Sequence, residues 1–191
     1  MTQPFIIYAL PRSRTTWLSK FLTYGKWQCQ HDLCAEVGSV DEAVDFLKQP
    51  YTGASCSGLV EAWRPLRYKL PHAKTVAVVR PIEEVKESLR KAGFPKGVEP
   101  ELQRRWEIMQ ELLLLNDIPT FQFGELQHRN VCAKIFEYCL SRPLDIVWWE
   151  MLRGANIQSD TPQRLSYQAA NRARCEAMAL DMAVQNLLFP L

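Results

Sequence analysis

The segment that most constrains this chain is FIIYALPRSRTTWLSKFL at residues 5–22. Its first part, residues 5–10, is apolar at every position rather than alternating. That pattern predicts a strand covered on both faces, as in a parallel sheet between helices. A short loop of Pro, Arg, Ser and Thr follows, and then a helical pattern with Trp17, Leu18, Phe21 and Leu22 on one face. A strand that feeds a helix through a basic, hydroxyl-rich turn is built for anions. The free N–H groups of the first helical turn and the positive end of the helix dipole converge there. Arg12, Ser13, Arg14, Thr15 and Thr16 add side-chain donors suited to phosphate or sulfate oxygens. The segment therefore predicts a phosphate-type binding loop.

The rest of the chain extends the same architecture. Strand patterns lie at residues 5–10, 27–30, 54–60, 74–79 and 120–123, and TVAVV in the fourth is again apolar throughout. Ser39-Val40-Asp41-Glu42 has the form of a capping box opening a helix to about residue 48. Pro81 sits at a helix first turn, with Val85 and Leu89 spaced for one face, and Pro100 opens a longer helix through Leu102, Trp106, Met109 and Leu113. Further helices are expected at residues 131–140 and 162–188. Strand alternating with helix predicts an α/β fold with a central parallel sheet flanked by helices. GFPKGVEP at residues 93–100 reads as a loose connection or as a lid over the site.

Composition excludes several function classes. The 191 residues suit one domain spanning the whole chain. A formal charge of +2 without a basic block does not indicate a nucleic-acid partner. No apolar run approaches the roughly 18 residues that would span a bilayer, so no membrane association is expected. The N-terminus lacks the basic region of a signal peptide. The six cysteines form no CxxC or Cys–His pairing and read as reduced core thiols of a cytoplasmic protein. No His, Cys or Asp cluster has metal-ligand spacing.

A nucleoside-triphosphatase loop needs GxxxxGK[ST], with its Lys on the phosphates. Here Thr15 stands in place of that Lys, which argues against a kinase. Pro11-Arg12-Ser13-Arg14-Thr15-Thr16-Trp17-Leu18 instead resembles the loop of sulfotransferases, whose usual form is PK(or R)SGTTWL. The departure is Arg14, where that family usually has Gly; Arg there needs ordinary backbone angles or a costly left-handed conformation. A second motif, KTVAVVRPIEEVKESL at residues 74–89, places Arg80 at a strand end and Ser88 in the following helix. Their spacing resembles the pair with which sulfotransferases bind the 3′-phosphate of 3′-phosphoadenosine 5′-phosphosulfate. The plain alternative is an Arg80 ion pair with Glu83 or Glu84 and a solvated Ser88. PTFQFGEL at residues 119–126 and Trp148-Trp149 resemble later parts of the family by pattern alone, and the family's C-terminal basic loop has no counterpart.

The resemblance implies a three-layer, P-loop-like fold and a sulfuryl transfer that uses 3′-phosphoadenosine 5′-phosphosulfate as co-substrate without a metal. It implies Arg12 as the catalytic cation, with Ser13, Arg14, Thr15 and Thr16 on the 5′-phosphate. Trp17 would lie on the adenine or else pack in the core. Asp32 falls where related enzymes carry a carboxylate base, and His31 is the alternative, with an ordinary pKa of about 6.5. Glu61 and Trp63 follow the middle strand and are candidates for the pocket of a small-molecule or carbohydrate acceptor. A nucleotide-binding protein of the same fold without catalysis remains the rival reading. Neither the acceptor nor the oligomeric state is legible in the chain.

Overall fold

A computed structural model describes residues 2–155, 157 and 171–189. Five strands form one sheet: β1 (Phe5–Ala9), β2 (Gln28–His31), β3 (Thr52–Ser55), β4 (Lys74–Val79) and β5 (Thr120–Gln122). Their order is β2-β3-β1-β4-β5, and every neighbouring pair is parallel. Ile6 pairs with Ala54 on one side and with Thr75 on the other, so β1 is the central strand. That position explains why FIIYA is apolar throughout. Phe5, Ile7 and Ala9 face one helical layer, and Ile6 and Tyr8 face the other.

The first layer holds α1 (Thr15–Leu22), α7 (Arg129–Leu140) and α8 (Ile146–Arg153). Leu18, Phe21, Ile135, Phe136 and Trp149 pack there against the sheet. The second layer holds α3 (Val40–Leu47), α4 (Trp63–Lys69), α6 (Glu99–Leu115) and α9 (Arg172–Leu188), through Val44, Leu66, Met109, Leu112 and Met178. Burying one such Leu or Phe side chain stabilises the fold by about 1.5–3 kcal/mol. A third cluster of Leu10, Val85, Leu89 and Leu102 ties α5 (Ile82–Lys91) and α6 to the end of β1. Among the described residues, no helix is long and apolar enough to cross a membrane.

Local chemistry sets the element ends. Ser39 Oγ accepts from the Glu42 N–H at 3.2 Å and starts α3. The Glu42 carboxylate accepts from Gly38 N–H rather than from Ser39, so the expected capping box is displaced by one residue. Pro81 occupies the cap of α5 and Pro100 the first turn of α6. Within the 93–100 connection, Lys96–Val98 forms a short 3-10 turn, and Phe94 and Val98 pack against the third cluster.

The third strand differs from expectation. Residues 54–60 do not form one strand; β3 ends at Ser55, and Ser57–Ala62 winds into a 3-10 turn that leads to α4. The physical reason is the turn itself: Leu59 N–H donates back to the Cys56 carbonyl at 3.2 Å, and the chain leaves the sheet. A Cβ built on Gly53 would lie 2.2 Å from the Phe5 ring, so β3 must carry a small residue beneath that side chain. The expected helix at 162–188 is present as α9 over its described part, while residues 162–170 lie outside the described residues. Cys29 packs on one face of the sheet and Cys34 and Cys56 on the other, and all six cysteines are free thiols.

Candidate anion-binding site

All five strands are parallel, so their carboxyl ends meet at one edge of the sheet. The chain leaves β1 toward β2 on one side and returns to β4 on the other. β1 is therefore flanked by the point where the connections diverge, the place where open α/β sheets bind ligands. The loop at residues 10–14 leaves β1 here, His31 and Asp32 follow β2, Ser57 follows β3, and Arg80 follows β4.

The loop is wound tightly. Arg12 has φ 63 and Arg14 has φ 62, both left-handed. That conformation costs a residue other than Gly roughly 1–2 kcal/mol. Arg14 caps α1 with its backbone; its carbonyl accepts from Leu18 N–H at 2.8 Å, and its side chain makes no cap bond. No acidic residue occupies the first turn of α1, so the helix dipole there is not offset by a local carboxylate. Ser13 is wholly buried, and its hydroxyl has no partner among the described residues.

Side chains from other strands hold the loop. Arg12 Nε donates to Ser88 Oγ at 3.1 Å, and Arg80 Nη1 donates to the Arg12 carbonyl at 2.5 Å. The two motifs read from the sequence thus touch. Arg80 also pairs with Glu84 at 3.3 Å, as its plain alternative anticipates, and its guanidinium lies 4.0 Å from the centre of the Phe123 ring. Arg14 reaches the same ring at 5.8 Å and donates to the Leu126 carbonyl at 3.2 Å. Phe123 is a residue that sequence reading gave no role. Only its place beneath two guanidinium groups reveals it.

His31 Nε2 lies 3.0 Å from Thr16 Oγ1 and 3.3 Å from Thr15 Oγ1, while Nδ1 lies 3.2 Å from Asp32 Oδ2. With the proton on Nδ1 toward Asp32, Nε2 is left as an acceptor facing the threonine hydroxyls. Asp32 itself is left-handed at φ 53. A cavity of about 220 Å³ opens beside these groups, lined by Arg12, Thr15, Thr16, Asp32, Ser57 and Arg105, with Phe94 and Leu102 on its apolar side. Arg80 and Ser88 do not line it; they connect to it through Arg12. A larger cavity of about 560 Å³ adjoins it, sharing Asp32, Ser57, Glu101 and Arg105.

Three expected site residues take other positions. Trp17 is only 4 % exposed, stacks on Phe21 at 4.7 Å and donates its indole N–H to the Leu152 carbonyl at 2.8 Å. It is a core residue without a ring face for adenine. Trp63 is likewise buried and lines a separate cavity with Ile6, Tyr8 and Leu66, which shares no residue with the one beside Arg12. Glu61 lines the larger cavity, but its carboxylate is held by Arg105 at 2.5 Å and by Arg104 at 3.3 Å. The Arg105 pKa is raised: burial opposes its charge, but Glu61 and Glu101 outweigh that effect. Among the described residues, no group of three or more His, Cys, Asp or Glu could hold a metal ion. No protein-family model matches this chain, and neither a curated protein nor a solved structure does.

Proposed function

We propose that this protein is a sulfotransferase of the P-loop-like kind, moving a sulfuryl group from 3′-phosphoadenosine 5′-phosphosulfate to a hydroxyl or amine of an acceptor. The observation that carries this reading is the contact between the two motifs. Arg12 of the first loop bonds Ser88, and Arg80 bonds the Arg12 carbonyl, although the motifs are far apart in the chain. A donor phosphorylated at both ends of its ribose needs two such cationic and hydroxyl-bearing groups side by side.

The reaction asks for positioning and charge stabilisation more than covalent chemistry. Thr15, Thr16 and the N–H groups opening α1 would hold the 5′-phosphate. Arg12 would stabilise the charge that grows on the leaving phosphate oxygen as the S–O bond breaks. The acceptor hydroxyl loses its proton to His31 Nε2, its oxygen bonds sulfur, and the electron pair of the broken bond leaves on the phosphate. Asp32 beside Nδ1 would orient the imidazole and stabilise its protonated form, as carboxylates do in comparable dyads. Removing a donor such as Arg12 typically costs roughly 10²–10³ in rate.

One observation favours a second reading, a binding protein without turnover. Arg14 stands in a strained left-handed position where the resembled family has Gly. Two measurements separate the readings. At about 100 times its dissociation constant, 3′,5′-adenosine bisphosphate should add roughly 2.7 kcal/mol of stability, against none from ATP–magnesium. Labelled sulfate should then pass to an acceptor in a screen. Stabilisation without transfer supports the binding protein, and stabilisation by ATP alone would remove both.

A further inference from the structure

Cys34, at the start of the short helix α2 (Leu33–Glu36), and Cys56, directly after β3, meet on the wall of the larger cavity. A Cβ built on Gly58 would lie 2.8 Å from Cys34 Sγ and 3.7 Å from Cys56 Sγ, so the two sulfurs crowd one point. Gly58 has no side chain, and this leaves room for the sulfurs to sit together. The Cys34 thiol hydrogen-bonds Cys56, whose sulfur also accepts from the backbone N–H groups of Cys34 and Gly58. Those donors favour the charged form of Cys56 and lower its pKa despite its burial and the nearby Asp32 carboxylate. The Cys34 pKa is raised well above its ordinary value, chiefly because that thiol donates to Cys56. Loss of one proton from the pair leaves a thiolate beside a thiol, the arrangement that can close to a disulfide. The cavity of about 560 Å³ gives a small oxidant a route to both.

We propose that Cys34 and Cys56 form an oxidisable dithiol whose closure controls the neighbouring anion site. With a peroxide as oxidant, the thiolate of the pair attacks one peroxide oxygen and the O–O bond breaks. That sulfur becomes a sulfenic acid, and hydroxide leaves and takes up a proton to give water. The other cysteine sulfur then displaces the second oxygen, again released as water, and the disulfide holds the two electrons' worth of oxidation. A thiol reductant reverses the process. Cys34 is two residues from Asp32, and Cys56 directly precedes Ser57; Asp32 and Ser57 line the cavity beside Arg12. Drawing α2 onto the end of β3 moves Asp32, and with it the His31 ring that faces Thr15 and Thr16.

The test is peroxide treatment of the full chain, followed by alkylation of free thiols, tryptic digestion and fragmentation mass spectrometry. The expected product links the peptide carrying Cys34 to the peptide carrying Cys56 and is lost on reduction. Cys34→Ser and Cys56→Ser should each abolish the crosslink, and dimedone trapping in the two variants identifies the attacking sulfur. Cys175→Ser, on the same cavity wall, should change nothing. Binding of 3′,5′-adenosine bisphosphate should fall at least tenfold on oxidation and recover on reduction. If Cys34 and Cys56 stay alkylatable, or Cys175 joins either one, the dithiol is disproved. A crosslink that leaves bisphosphate affinity unchanged overturns the control of the site. The crosslink is read without any nucleotide, so its failure is distinct from a failure of the sulfotransferase reading.

Discussion

Arg14 allows backbone strain to be measured apart from side-chain contacts. At φ 62 and ψ 24 the residue is left-handed, and a Cβ there costs roughly 1–2 kcal/mol. Arg14→Ala keeps the Cβ but loses the bond to the Leu126 carbonyl and the contacts 5.7 Å and 5.8 Å from the Trp17 and Phe123 rings. These half-buried contacts contribute about 1–1.5 kcal/mol together. Arg14→Gly loses the same contacts but also relieves the strain, while the added freedom of its unfolded chain takes back about 0.4–1 kcal/mol. Gly should therefore be close to the parent in stability, and Ala about 1 kcal/mol below Gly. For a chain of this size that difference is roughly 2–4 °C in melting temperature. Urea unfolding of the three proteins, with equal slopes, reads it directly. An Ala variant as stable as the Gly variant would refute a left-handed residue 14.

Arg80→Ala and Ser88→Ala should each weaken 3′,5′-adenosine bisphosphate by about tenfold, the loss of one charge-assisted hydrogen bond of about 1.5 kcal/mol. Adenosine 5′-monophosphate should be much less affected in calorimetric titration, and equal losses would contradict a 3′-phosphate role. Gly53→Ala should destabilise the fold by about 1–3 kcal/mol in chemical denaturation, because its methyl group must displace the Phe5 ring. Asp145 accepts from the Tyr24 hydroxyl at 2.7 Å and from the Trp148 and Val147 N–H groups, which together hold its pKa below the ordinary carboxylate range. Its contribution is therefore present above the unfolded pKa of about 3.9 and lost as pH falls through the lower folded value. Melting curves should show Asp145→Asn losing less stability than the parent as pH drops below about 4.

The sheet was legible where burial alone dictated sequence. β1 is buried at every position and β4 at its middle, because helices cover both faces there, and the apolar residues follow that burial. β3 was not legible at its true position because Gly53, a poor strand former, owes its place to the Phe5 ring, a neighbour that only tertiary structure supplies. Helix α8 starts on a local signal, the Asp145 side chain accepting from Val147 and Trp148 N–H, but its 8 residues are too short a run for helical periodicity to stand out. At the site, Arg12 and Arg80 each follow a strand end, and the resemblance brought them, with Ser88 of the next helix, to one donor. Sequence leaves Trp17 open between ligand and core because a Trp on the buried face of a helix and a Trp on a ligand look alike there. Phe123 and Arg105 carry no local signal, and their surroundings come entirely from distant segments.

The bond from Arg80 to the Arg12 carbonyl has a kinetic consequence. A side chain from one strand clamps the main chain of the loop after another, so the loop has its bent shape before any ligand arrives. Little conformational freedom remains to be surrendered on association. Capture should then proceed in one step at the rate of encounter, with the salt sensitivity of attraction between opposite charges and no slower rearrangement phase.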